Sequence, residues 1–137
     1  MRGVLVDWMV EVQVQFRLLQ ETLFIAVDIM DRCLAIILLT TPINRYLAIE
    51  GKTVTRSKLQ LVGVGCLFLA AKVEEVYAPA VADFVYITDN AYSEAEIKAM
   101  EIKVLRVLNF DLFQPVSLHF LRRFSRAGDV DVLQVFL

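Results

Sequence analysis

The stretch RSKLQLVGVGCLFLAAKVE, residues 56–74, is apolar around the whole circumference of a helix and not along one stripe. Leu59, Leu61, Val62, Val64, Cys66, Leu67, Phe68 and Leu69 surround the axis, so this segment has to be enclosed by other helices. A membrane is the rival enclosure. It fails on length, because the uncharged run from Leu59 to Ala71 has 13 residues and a spanning helix needs about 20. Gly63 and Gly65 lack the preceding strand and third glycine of a nucleotide-binding fingerprint, and they predict close approach of neighbouring helices instead.

Working outward, helical spacing continues almost throughout. Met1, Leu5, Trp8, Val12 and Phe16 form the apolar face of a first helix, with Asp7, Glu11, Gln13 and Gln15 elsewhere on the wheel. A second helix opens near Gln20 and Glu21, carries Leu23, Val27, Met30 and Leu34 on one face and runs to about Ile36. A short helix covers Val81 to Ile87, followed by a loop at Thr88-Asp89-Asn90. Ser93 and Glu96 then have capping-box spacing, starting a helix that buries Ile97, Met100, Val104, Leu105 and Leu108 and leaves Glu94, Lys98 and Lys103 to water. Prolines occur only at 42, 79 and 115, which leaves long segments without the punctuation that many short strands require. The expected fold class is all-α: five helices about a central buried one, without the sustained heptads of a coiled coil.

After Pro115, Ser117 to Arg126 and Val130 to Leu137 begin further helices. Their apolar residues Leu118, Leu121, Phe124, Val132, Val135, Phe136 and Leu137 have little remaining sequence to cover them, so we expect a first domain over 1–113 and an incomplete second one over 114–137, with a tendency to associate.

The 137 residues are 58% hydrophobic, above the roughly 45–50% usual in soluble chains, which predicts a large core or an apolar docking surface. A net charge of −2 and a pI near 5.4 provide no general field for nucleic acid, and Arg122, Arg123 and Arg126 read as a solvated helix face. No signal-peptide succession opens the chain. Cys33 and Cys66 are far apart in apolar surroundings and read as small buried hydrophobes in a reducing, intracellular compartment.

Catalytic chemistry has no visible seat. His119 is the only histidine, the two cysteines lack metal-ligand spacing, and the adjacent Glu74 and Glu75 point in different directions on a helix. No metal or cofactor is expected. Such a chain works by presenting helix faces to proteins.

Six strings make the expectation specific: MRGVLVDW at 1–8, LQETLF at 19–24, KLQLVG at 58–63, AAKVEEVYAP at 70–79, FVYITDNAYS at 84–93, and Met100-Glu101 with VLNFDL at 107–112. Together they resemble the cyclin box of mitotic cyclins, and PVSLHFLRRFSRAGDVDV at 115–132 resembles the B-type branch. The resemblance implies a five-helix cyclin fold followed by the start of a second, and a partner that is a cyclin-dependent protein kinase, activated for G2/M control in nucleus and cytoplasm. Lys72 and Glu101 match the residues that grip the kinase in that family, and Phe110 and Leu112 match further apolar kinase contacts. Met1, Leu5, Trp8, Glu11 and Gln60 match a groove for substrate docking peptides, although spacing alone places Met1, Leu5 and Trp8 in the core. Arg2 and Asp31 match an ion pair tying the first helix to the second.

One departure from the family pattern is an echo: Met30-Asp31-Arg32-Cys33-Leu34-Ala35-Ile36 recurs as Ile43-Asn44-Arg45-Tyr46-Leu47-Ala48-Ile49. Only the first copy keeps an acid for Arg2, so residues 37–52 are expected to form an extra loop or short helix. Rival readings are a cyclin fragment that binds without activating, a cyclin-fold adaptor in transcription, and an enzyme with a concealed site.

Overall fold

The computed structural model describes residues 2–40, 56–112 and 114–128. Its helices are α1 (Arg2–Phe16), α2 (Gln20–Thr40), α3 (Arg56–Glu74), α4 (Val81–Ile87), α5 (Glu94–Val107) and α6 (Ser117–Ala127), with no strand among the described residues. The expected boundaries of α4 and the start of α2 agree with the structure. α2, however, continues past Ile36 to Thr40. No glycine or proline interrupts Ala35 to Thr40, so nothing in this stretch ends the helix at Ile36. Residues 37–40 therefore belong to α2, while the rest of the expected insert and the second copy of the echo lie outside the described residues, as do Met1 and the segment 130–137.

α3 is the axis of the bundle. Residues 62 to 71 are buried without interruption, and α1, α2, α4 and α5 all contact this helix. Both of its internal glycines serve close packing. A Cβ at Gly63 would lie 2.9 Å from Leu5 Cδ1 of α1, and one at Gly65 would lie 2.9 Å from Met100 Cγ of α5. Phe84 of α4 is fully buried and meets Phe16 and Phe68 edge-on at 5.3 and 5.4 Å between ring centroids, a favoured aromatic geometry.

On two helices the buried stripe differs from the expected face. α2 buries Thr22, Ala26, Ile29, Met30 and Cys33, whereas Leu23, Val27 and Leu34 are only partly covered. The fully buried set thus mixes small side chains with Ile29 and Met30, and Met30 alone of the four expected residues is completely enclosed. In α1 it is Met9, not Trp8, that is completely enclosed.

Polar contacts fasten the helix ends. Ser93 and Glu96 form the capping box, with Ser93 N–H donating to Glu96 Oε2 at 2.8 Å and Glu96 N–H to Ser93 Oγ at 3.3 Å. Glu75 accepts from the Leu19 amide at 2.7 Å and the Thr22 hydroxyl at 2.5 Å, satisfying donors where α2 begins. Arg2 and Asp31 form a two-pronged pair, Nε to Oδ1 and Nη2 to Oδ2, both at 2.7 Å. This pair is exposed, so it aligns α1 with α2 without carrying the penalty of a buried charge. α6 is held to α2 by the ion pair between Arg122 and Glu21.

Burial pushes the Glu21 carboxyl up, but its own backbone N–H, the Arg122 guanidinium and His119 outweigh that and hold it below its usual value. Such a carboxylate stabilises the fold above the unfolded value and ceases to do so as pH falls through the folded one. Acidification below the ordinary glutamate value of 4.5 is expected to release α6, read as loss of amide-exchange protection confined to Ser117–Ala127. Glu21→Gln is expected to flatten that pH dependence. Gly65→Val, which drives methyl groups into Met100, is expected to cost about 1–3 kcal/mol and to lower the melting temperature by several degrees, measured by circular dichroism.

Candidate functional site: a charged pair beside apolar grooves

Lys72 lies in the last turn of α3, where a cation complements the helix dipole. Its side chain leans back toward the N-terminus, as helix geometry requires, and sets the ammonium 4.5 Å from the centroid of the Phe68 ring. The other neighbour of that ammonium is Glu101 of α5, with which it forms an ion pair. The pairing depends on packing already described: α5 rides so close to α3 that a Cβ at Gly65 would be 3.7 Å from the Glu101 amide nitrogen. Lys72 remains 43% exposed at the side chain and Glu101 11%. The pair thus lies at the surface, with the carboxylate sunk and the ammonium facing water. An ammonium has three N–H donors and a carboxylate several acceptor positions, which leaves this pair able to receive both a carbonyl and an N–H from another chain.

Phe110 and Leu112 follow α5. The amide of Phe110 donates to the Leu105 carbonyl at 2.8 Å, one turn beyond Glu101, and the residue is 68% exposed. Leu112 instead packs against the core and lines a groove of about 360 Å3 with Val73, Glu74, Pro115 and His119. Apolar surface therefore lies next to the C-terminal end of α3. Glu74 and Glu75 do diverge, the first toward this groove and the second toward the start of α2.

The expected docking-groove residues are divided by the structure. Trp8 and Glu11 line a groove of about 340 Å3 between α1 and the end of α4, together with Gln15, Tyr86, Asp89 and Asn90. Leu5 does not face it: its side chain is buried against Gly63, as helical spacing alone predicts. Gln60, half-buried on α3, is not among the residues lining this groove, and Met1 lies outside the described residues. Tyr86, Asp89 and Asn90 escaped the sequence reading, although all three stand in the FVYITDNAYS string. Their signal was the loop after α4, where Asp89 and Asn90 take positive φ of 52° and 58° and turn back toward α1. The groove combines two aromatic rings with two carboxylates, chemistry suited to a peptide carrying both apolar and basic side chains.

Both cysteines are buried; burial lifts the Cys33 thiol to about 11 and the Cys66 thiol well above its usual value, which leaves them unreactive packing groups. Among the described residues no group of three or more His, Cys, Asp or Glu side chains is placed to hold a metal, and no helix is long and apolar enough to cross a membrane.

Residues 1–113 match the family described as cyclin, N-terminal domain. The chain is 52% identical over 134 residues to the G2/mitotic-specific cyclin-B2 of Gallus gallus and 51% identical over 134 residues to that of Homo sapiens, covering 98% of this chain and 30% of each relative. To the G2/mitotic-specific cyclin-B of Marthasterias glacialis it is 50% identical over 131 residues, covering 96% of this chain and 30% of that protein. The chain thus spans about a third of the length of these relatives. A crystal structure of a viral cyclin from herpesvirus saimiri shares the fold with a TM-score of 0.76 at 21% identity, covering 96% of this chain and 51% of that one. Enclosed central helix, helix order and sequence agree, and the chain belongs to the cyclin family.

Proposed function

We propose that this chain is a regulatory subunit that binds a cyclin-dependent protein kinase through Lys72, Glu101, Phe110 and Leu112 and activates it in G2/M control. The observation carrying this reading is the ion pair that brings Lys72 and Glu101, 29 positions apart in the sequence, to one place at the surface between α3 and α5. The G2/mitotic relatives support the cell-cycle role, and the exposed Phe110 ring and the groove lined by Leu112 supply apolar area beside the charges.

The mechanism is a population shift. A kinase samples arrangements in which its own catalytic Lys–Glu pair is assembled or apart, and a surface that binds the assembled arrangement more tightly raises its share. Catalysis stays with the partner. Trp8, Glu11 and Asp89 in the second groove would then hold a basic, apolar docking segment of the substrate close to the activated kinase, in nucleus and cytoplasm.

Removing Lys72 alone strands a mostly buried Glu101, so the informative variant removes both charges. Lys72→Ala with Glu101→Ala is expected to cost about 2–5 kcal/mol of kinase binding, more than a tenfold rise in Kd, with the melting temperature monitored alongside. Unchanged binding would remove the assignment, and binding without stimulated phosphorylation of a histone-type substrate would replace activation with passive capture. Trp8→Ala is expected to raise KM for substrates bearing a basic docking segment and to leave kinase affinity unaltered. Steady-state kinetics with and without that segment checks this.

A further inference from the structure

The exit of α5 includes a conformation that Phe110 does not favour by itself. Asn109 and Phe110 have φ of 50° and 60°, the left-handed region in which a residue with a bulky side chain is strained. The turn is tight: Phe110 N–H donates to Leu105 at 2.8 Å and Asp111 N–H to the Leu108 carbonyl at 2.9 Å. Its outcome is a phenyl ring turned out to solvent and a Leu112 returned to the protein.

Among the described residues outside α5, the side chain of Arg32 grips the backbone of this turn. Arg32, in the middle of α2 and 79 residues earlier, donates from Nη1 to the Asp111 carbonyl at 2.8 Å. Its Nε donates to Asp28 Oδ2, also at 2.8 Å, one helical turn back on α2. The guanidinium is thereby aimed by Asp28 and held through two of its three nitrogens, Nε and Nη1, a geometry that a lysine, with a single nitrogen, cannot reproduce. Nη2 is buried and has no hydrogen-bond partner among the described residues.

We infer that Arg32 is a positioning residue: by bridging Asp28 and the Asp111 carbonyl it holds the left-handed turn at Asn109 and Phe110 in the form that presents Phe110 to the kinase. The inference rests on the proposed kinase contact of Phe110. Arg32 acts through the turn and has a role distinct from that of Arg2, which pairs with the neighbouring Asp31 on another side of α2. Two adjacent residues of α2 thus divide the work, Asp31 aligning α1 and Arg32 the exit of α5.

The test uses the full chain with its kinase subunit and compares Arg32→Gln, Arg32→Lys, Asp28→Asn, Phe110→Ala and the Arg32→Gln/Phe110→Ala pair. Three quantities are read: kinase Kd, melting temperature, and amide exchange of Phe110 and Asp111. Loss of a hydrogen bond from a charged donor predicts a rise in Kd of about tenfold for Arg32→Gln, faster exchange at those two amides, and a smaller rise for Arg32→Lys. Because Arg32 works through Phe110, the double variant is expected to bind no worse than Phe110→Ala alone. If Arg32→Gln unfolds the chain, Asp28→Asn, which retains size and only loosens the grip on Nε, is expected to show the same pattern in weaker form. Multiplying effects in the double variant would overturn the inference, as would Arg32→Gln or Asp28→Asn leaving Kd unchanged while Phe110→Ala raises it. A Phe110→Ala variant with native affinity would remove the kinase contact of Phe110 and this inference together.

Discussion

Everything in this molecule is arranged about the burial of α3 on all sides. A helix without a polar face can be kept from water only by surrounding it, and four helices do so here. The approach has to be close, because gaps at such an interface forfeit dispersion contacts as well as hydrophobic burial. Gly63 makes room for Leu5, and Gly65 makes room for Met100. On α2, Thr22, Ala26, Ile29, Met30 and Cys33 are buried. The central helix therefore sets the distances at which its neighbours lie, and with them the places where their polar residues emerge.

From that constraint follows the position of the charged pair. Glu101 is carried to Lys72 because α5 is pressed against Gly65, and Lys72 is steadied over Phe68 because its own helix directs it backward. A second tier of contacts acts at the helix ends: Glu75 receives the start of α2, Arg2 joins Asp31, Arg32 reaches Asp111, and Arg122 meets Glu21. These are individually modest in water-exposed settings. Their common effect is directional, since each determines how one element leaves or enters the bundle.

Much of the fold was legible beforehand, for reasons that are local. The limits of α4, the Ser93 and Glu96 capping box and the turn at Asp89 and Asn90 depend on a few neighbouring residues. The extent of α2 was less legible, because the residues after Ile36 carry neither a breaker nor a cap and the helix runs on through Thr40. The buried face of α2 differs from the expected one because apolar residues lie on more than one side of this helix, and which side is enclosed depends on how its neighbours pack. In the candidate site, Lys72, Glu101, Phe110 and Trp8 were singled out on resemblance. Tyr86, Asp89 and Asn90 were not, because a groove formed by a helix and a distant loop has no periodic signature. Leu5 shows the converse, a residue matched to a groove by resemblance whose spacing pointed to the core.

The amino-acid sequence by itself determined that the chain is helical, that residues 56–74 form its centre and that its glycines there are places of contact. It also carried family membership in strings spread from one end of the chain to the other. Only the tertiary structure decided which side chains meet: Lys72 with Glu101, Arg32 with the carbonyl of Asp111, Arg122 with Glu21, and Leu5 with Gly63. The division has a physical origin. Helix periodicity is written in residues three and four apart, whereas the meeting of two helices depends on how the ridges of both surfaces interlock, a property that neither segment possesses alone.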